Sequence, residues 1–389
     1  MSNLQPQDVV IAAFGRSAVG RAKKGSLKYT HPVDFGGQIL RQVLDKLPQL
    51  DPKEISDVII GCSKCEEVQG YNIGRLICLR AGVPYEVPAQ TVNRFCSSGL
   101  QTIYTAINMI RAGDAEVMVA GGVETMSMLP MGTKEEIRCA WIKENEPGAY
   151  MPMGLTAENV AELCHITRKE QDALALESHR RAAAAQDAGV FDEQILPVQA
   201  LDENGNRFIF DKDEGIRRGL TMEDVAKLKT VFKENGTVTA ATSSQTSDAA
   251  AMVVLMTARK AEQLGIKPLA KFVSFGVRGT DPSYMGLGPK YAVPIALERA
   301  GLTIDQIDVI ELNEAFAAQA IPCMRDLGMD PAKVNVNGGA MAMGHPLGAT
   351  GAILTIKAVS EMRRRGGRYA MVTMCIGGGM GAAGIFEAV

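Results

Sequence analysis

The chain resembles itself at an offset of about 250 residues, and a duplication on that scale constrains the fold more than any local motif does. Glu54-Ile55-Ser56-Asp57-Val58-Ile59 matches Asp305-Gln306-Ile307-Asp308-Val309-Ile310. Gly99, opening a helical run after Cys96, matches Gly351, opening one after His345. Met118-Val119 before Gly121-Gly122 resembles Met371-Val372 before Gly377-Gly378, and Phe14-Gly15 resembles Phe275-Gly276. Two domains of one architecture are therefore expected. In each half, short β-branched runs such as Val9-Val10-Ile11, Val58-Ile59-Ile60 and Val117-Met118-Val119 alternate with amphipathic helical stretches, so the expected fold class is α/β with packed layers. With 389 residues and 46% hydrophobic content, the chain has enough apolar surface for two sizeable cores.

A stretch of different composition separates the halves, rich in methionine at its start and in charge later. The expected units are a first half over residues 1–124, completed by about 246–268, an inserted loop domain over 125–245, and a second half over 269–389. Within the insertion, Thr167-Arg168-Lys169-Glu170 reads as a capping box for a helix to about Asp187, and Asn204-Gly205 as a hairpin turn. Thr221 opens a further helix, expected over Val225 to Phe232. Ile216-Arg217-Arg218-Gly219 reads either as a solvated charged turn or as a phosphate-facing loop.

A formal net charge of −3 supplies no basic field, which argues against nucleic acid or anionic lipid as a partner. The first residues show no basic and apolar leader, and no apolar run reaches membrane-spanning length, so a cytoplasmic protein is expected. Eight cysteines in such a chain are expected to stay reduced. Cys62-Ser63-Lys64-Cys65 is a single C-x-x-C pair with no second pair. It is a weak signal for zinc or redox chemistry, and local packing is the expectation.

Asn93-Arg94-Phe95-Cys96-Ser97-Ser98-Gly99 sets a cysteine where a strand-like segment passes into an amphipathic helix, with Leu100, Ile103, Ile107 and Ile110 at helical spacing and Gly113 as its stop. Ser97 or Ser98 can cap that helix. Orphan N–H groups at a helix start favour an ionised sulfur, so Cys96 is expected to form a thiolate near neutral pH. Of four histidines, His165 and His179 read as structural or surface residues and His31 as part of a polar loop. His345, within Gly344-His345-Pro346-Leu347-Gly348, occupies the turn that the repeat pairs with Cys96, and an imidazole there can take the thiol proton.

Cys375 ends a strand-like run and faces Gly377-Gly378-Gly379, which suits a second acid/base thiol beside N–H groups able to form an oxyanion hole. The dinucleotide fingerprint in Gly379-Met380-Gly381-Ala382-Ala383-Gly384 lacks room for the helix that such a site requires. Asn313 and Glu314 lie at the end of the strand Val309 to Leu312. Asn313 can orient a water or a carbonyl and Glu314 can orient His345, or either can cap the next helix.

Taken together, Val92-Asn93-Arg94-Phe95-Cys96-Ser97-Ser98-Gly99-Leu100, Arg111-Ala112-Gly113-Asp114, Ala120-Gly121-Gly122-Val123-Glu124-Thr125-Met126, Asn313-Glu314-Ala315-Phe316-Ala317, Asn335-Val336-Asn337-Gly338-Gly339, Gly344-His345-Pro346-Leu347-Gly348 and Cys375-Ile376-Gly377-Gly378-Gly379 resemble the thiolase family. The likeness covers nearly the whole chain. It implies duplicated α/β domains of five-stranded sheets, stacked as α-β-α-β-α layers around a shared helical layer, with an inserted loop domain and assembly as a homodimer or homotetramer. It implies an acyltransferase that cleaves 3-ketoacyl-CoA with CoA in fatty acid β-oxidation, or runs the reverse condensation, without bound cofactor or metal and with coenzyme A as substrate.

By the same resemblance Cys96 is the nucleophile, His345 activates it and Cys375 exchanges a proton with the substrate C2. His345 and a water held by Asn313 bind one oxyanion, the N–H groups of Cys96 and Gly377 the other, while Arg217 and Ser244 touch the CoA. Met151-Pro152-Met153-Gly154-Leu155 and Ser243-Ser244-Gln245 look more like 3-ketoacyl-CoA thiolases than acetoacetyl-CoA-specific ones. Ala241-Thr242 and Asp248-Ala249 replace the glycine-bearing pairs usual around the serine loop. Competing expectations are an acetoacetyl-CoA-specific acetyltransferase and, from another class, a non-catalytic acyl-CoA-binding or thiol redox protein.

Overall fold

A computed structural model describes residues 4–129, 131–132 and 135–389. The strands are β1 (Val9–Arg16), β2 (Gly20–Arg21), β3 (Asp57–Gly61), β4 (Ala89–Val92), β5 (Val117–Thr125), β6 (Val198–Leu201), β7 (Arg207–Phe210), β8 (Ser247–Thr257), β9 (Ala270–Gly279), β10 (Val309–Leu312), β11 (Tyr369–Ile376) and β12 (Met380–Glu387). Apart from the β6–β7 hairpin and the short β2, which pairs with β8, they hydrogen-bond in the order β10-β11-β12-β9-β1-β8-β5-β3-β4.

The repeat is visible in that order. Outward from the centre, β1 and β9 are antiparallel to β8 and β12, which are antiparallel to β5 and β11, which in turn are parallel to β3 and β10. The edges differ. On the first half β4 pairs parallel with β3, whereas its counterpart on the second half shrinks to one bridge, Ile310 to Val334. The second half therefore has four strands and a bridge where five strands were expected. Asn335 stops the strand, because it turns left-handed at φ 45° and its side chain takes over the ladder bonds, accepting from Leu312 N and donating to Leu312 O.

Among the described residues the two half-sheets pair only at Val10 opposite Lys271 and Ile11 opposite Ala270, which leaves room between them for helices. Two fill it: Ser98–Ala112, the cysteine helix, and Leu347–Arg365, the histidine helix. Their Ile103, Ile107, Ala352 and Ile356 share one core with Val253, Phe275 and Phe386 from the strands of both halves. The histidine helix is buried on every side from Leu347 to Met362, as a helix between two sheets must be. Helices Pro32–Asp45 and Ile73–Ala81 cover the outer face of the first half, and Gly288–Ala300 and Ala317–Asp326 that of the second, which completes the α-β-α-β-α stack.

In the insertion, Thr167 closes its capping box and the helix runs Arg168–Asp187 as expected. Gly205, at φ 79°, turns the β6–β7 hairpin. The helix opened by Thr221 is Met222–Ala226 and does not reach Phe232, since Thr230 is drawn into an extended bridge with Thr239. Among the described residues, no helix is long and apolar enough to cross a membrane.

Candidate functional site

Cys96 sits in an elbow between β4 and the cysteine helix. Asn93 builds the elbow: its Oδ1 accepts from Phe95 N at 2.8 Å and its Nδ2 donates to Ser63 O at 2.9 Å. Phe95 is held at φ 43°, a left-handed value that costs a bulky residue roughly 1–3 kcal/mol and persists only where its surroundings enforce it. The expected serine cap does not form. Ser98 Oγ instead accepts from Arg94 N and donates to Phe95 O, closing the elbow upstream of the helix.

The expectation of an ionised Cys96 is also overturned. The residue is 7% exposed, and burial pushes its thiol up to about 11, while the N–H groups of Gly377 and of Cys96 itself pull it back only in part. Desolvation outweighs the helix start because the sulfur lies in the 3-10 turn Phe95–Ser97, one step before the helix, inside an apolar core. Burial thus favours the Cys96 thiol over the thiolate, tempered by the nearby N–H groups of Gly377 and of Cys96 itself.

His345 follows Gly344, whose φ of 107° ends the short helix Ala340–Met343 and turns the chain toward the histidine helix. Its Nδ1 lies 2.6 Å from Thr350 Oγ1 and its Nε2 3.4 Å from Asn313 Nδ2. An amide nitrogen can only donate, so Nε2 is the acceptor and Nδ1 carries the proton toward Thr350. Burial lowers the imidazole to about 4, leaving it neutral and able to accept a proton on Nε2. Asn313 Oδ1 is buried and makes no hydrogen bond to protein, an acceptor aimed beside that nitrogen.

Glu314 does not orient His345, as the sequence suggested. It turns the other way, accepting from Ser178 Oγ at 2.6 Å, Asn335 Nδ2 at 2.9 Å and Met341 N at 3.3 Å, so it fixes the segment leading to His345 rather than the ring. Neither Asn313 nor Glu314 caps the following helix, which begins at Ala317.

Cys375 is the last but one residue of β11, opposite Gly381 on β12. It is fully buried among Ala315, Phe316 and Met285, and burial holds its thiol well above the ordinary value, with the nearby Cys96 sulfur adding to the effect. The turn after it, with Gly378 and Gly379 at φ 77° and 81°, is what brings Gly377 N–H to the Cys96 sulfur. Cys96, Cys375 and Gly377 thus lie together, and His345 with Asn313 stands at the head of the histidine helix, which packs on the Phe95–Ser97 turn.

Arg217 is exposed, and its N–H donates to His179 Nδ1 at 3.0 Å. His179 is therefore a buried anchor for this loop, lowered to about 4 by burial and by Arg217. Arg218, by contrast, pairs with Asp187 and Gln186. Ser244 N donates to Ala315 O, which lays the serine loop on the segment after Asn313. Ala241 and Ala249 both keep ordinary negative φ, so no glycine is needed there.

Two residues have roles that the sequence did not suggest. Gln245 ties three pieces together, its Nε2 within donor distance of Gly215 O, Met341 O and Ala342 O while its backbone carbonyl accepts from His345 N. Thr350 orients the imidazole, and only its position one turn into the histidine helix could have suggested that.

The whole chain has relatives of known kind. Residues 9–259 match the thiolase N-terminal domain and residues 266–388 the thiolase C-terminal domain. The 3-ketoacyl-CoA thiolase of Bacillus subtilis is 48% identical, with 98% of this chain and 99% of that protein covered. The peroxisomal 3-ketoacyl-CoA thiolase A of Mus musculus is 44% identical, with 98% and 91% covered. In structure, the acetyl-CoA acetyltransferase of Bacillus anthracis superposes with a TM-score of 0.91 at 38% identity, over all of both chains.

Proposed function

Because this chain belongs to the thiolase family, we propose that it catalyses the CoA-dependent cleavage of 3-ketoacyl-CoA to acetyl-CoA and a shortened acyl-CoA, through an acyl group on Cys96. The reading is supported by two neighbouring buried thiols, Cys96 and Cys375, beside Gly377, with the neutral imidazole of His345 at the head of the helix that packs on the Cys96 turn.

Cys96 Sγ attacks the 3-keto carbon as its proton passes to His345 Nε2. Because burial holds the thiol above its ordinary value, the proton passes to the imidazole as the attack proceeds. The alkoxide forms against the N–H groups of Cys96 and Gly377. Its collapse breaks the C2–C3 bond, and the thioester oxygen of the departing enolate is met by His345 and a water on Asn313 Oδ1.

Cys375, held protonated by burial, supplies the proton to C2 and becomes a thiolate. The thiolate then takes the proton of incoming CoA, whose sulfur attacks the acyl-Cys96 carbonyl, and His345 returns its proton to Cys96. Each group ends as it began. The exposed Arg217 side chain and the hydroxyl of Ser244 are proposed to meet the CoA nucleotide and pantetheine.

The test is thiolysis of 3-ketoacyl-CoA substrates of increasing acyl length by the wild-type protein and by Cys96→Ala. Turnover by the wild type and loss of about a thousandfold or more in the variant are expected. Undiminished turnover by Cys96→Ala would remove the acyl-enzyme step.

A further inference from the structure

The pair Cys62 and Cys65 takes no part in the reaction, yet its surroundings are unlike those of cysteines that merely pack. Cys62 follows β3 and is fully buried, whereas Cys65 is exposed. Cys65 Sγ donates to Cys62 O at 3.2 Å, and Cys62 Sγ lies 3.5 Å from Lys64 O. Among the described residues no third His, Cys, Asp or Glu is placed to complete a metal-ligand group with them.

The turn they bracket leans on both halves of the active site. Ser63 O accepts from Asn93 Nδ2, the residue that sets the Phe95 elbow ahead of Cys96. Ser63 N and Lys64 N donate to the carboxylate of Glu124, at 2.8 and 3.3 Å. Glu124, 1% exposed, also accepts from Gln69 Nε2 at 2.7 Å and from Gly348 N at 2.8 Å, where the histidine helix begins.

We propose that Cys62 and Cys65 form a reversible disulfide site, accessible to small disulfides, whose closure displaces the turn that supports Asn93 and Gly348. Exposure makes Cys65 the attacking sulfur. The neighbouring Cys62 thiol also holds it below the ordinary thiol value. Cys65 thiolate attacks one sulfur of the small disulfide and expels a thiolate. Cys62 Sγ, giving its proton to solvent, then displaces the second. The pair loses two electrons and two protons, and the oxidant becomes two thiols.

Closure abolishes the bonds from Cys65 to Cys62 O and from Cys62 to Lys64 O, so Ser63 and Lys64 cannot keep their present places on Glu124 and Asn93. The test uses full-length wild-type protein and Cys65→Ser incubated with glutathione disulfide, alkylated and mapped by mass spectrometry, with activity measured in parallel.

The expected result is a Cys62–Cys65 crosslink in the wild type, two hydrogens lighter and released by dithiothreitol. A fall in activity of about fivefold or more should accompany it, recover on reduction and be absent from Cys65→Ser. Cys62 that stays open to alkylation after unfolding of the treated wild type overturns the site. An equal loss in Cys65→Ser overturns the coupling and assigns the loss to Cys96 or Cys375. The crosslink does not depend on the proposed reaction, so inactivity of untreated protein would count against that reaction alone.

Discussion

Gly99 and Gly351, equivalent positions of the two halves, each lie against the helix of the other. A Cβ on Gly99 would stand 2.8 Å from both Ala352 N and Gly348 O, and one on Gly351 would collide with Leu100 N. The cysteine and histidine helices can meet backbone to backbone only because both positions lack a side chain. That contact sets the separation of Cys96 from His345.

Gly351→Ala must therefore push the helices apart. A cost of about 1–3 kcal/mol in stability is expected, with a loss of kcat larger than any change in KM. Denaturant melts together with steady-state thiolysis check this, and a variant with wild-type stability and turnover would show that the contact is soft.

Thr350→Val keeps the volume but removes the hydroxyl that fixes His345 Nδ1. A fall in kcat of about tenfold to a hundredfold is expected, with folding and KM little changed. Rescue by Thr350→Ser but not by Val would separate orientation from packing. Equal activity in the Val and Ser variants would exclude the role.

The free protein should react at Cys96 as a buried thiol raised to about 11. Its alkylation by iodoacetamide is expected to climb about tenfold per pH unit from pH 6 to 9 without levelling, since the thiolate fraction grows throughout that range. A plateau beginning below pH 7, measured by the rate of Cys96 modification, would instead reveal a resting thiolate–imidazolium pair.

His345 is lowered to about 4 from an unfolded value near 6.5, so between those limits the unfolded chain binds more protons than the folded one. Its contribution to stability is full above pH 6.5 and is lost as pH falls toward 4, by roughly 3 kcal/mol in all. Glu124, Glu311 and Glu314 are shifted upward by burial and act in the opposite sense, so the signature belongs to a difference curve. Denaturation of wild type and His345→Asn across pH 4–7 should converge as pH falls. Parallel curves would contradict a neutral buried imidazole.

Lys357, inside the histidine helix, donates to Glu311 Oε2 and to Gly338 O, both at 2.7 Å, with neither side chain appreciably exposed. Lys357→Met leaves Glu311 buried without its cation, and a loss of about 3–5 kcal/mol is expected. Lys357→Met combined with Glu311→Leu should recover much of it, as measured by urea melts; no recovery would mean that the bond to Gly338 O is the important one.

Much of this was legible because it is periodic or punctuated. The offset between Asp57 and Asp308 and between Gly99 and Gly351 signalled the duplication, and the strand order repeats accordingly. Thr167 and Gly205 marked the ends of their elements through their own side-chain or backbone chemistry, which needs no distant partner. Phe232 did not end a helix because Thr230 found an extended partner at Thr239, and Val334 did not extend into a strand because Asn335 capped Leu312 instead. Both outcomes turn on contacts that local patterns do not encode.

The order of the residues by itself determined that two like halves would present Cys96 and His345 at matching turns, with Cys375 beside a glycine turn. Tertiary structure alone decided their chemical state: Cys96 a thiol, His345 neutral, Glu314 facing Ser178 and Asn335 while Thr350 holds the ring. The reason is physical. A motif specifies which groups lie near one another along the chain, but a proton's affinity depends on how much water the folded core removes, and that is a property of every residue packed around the site.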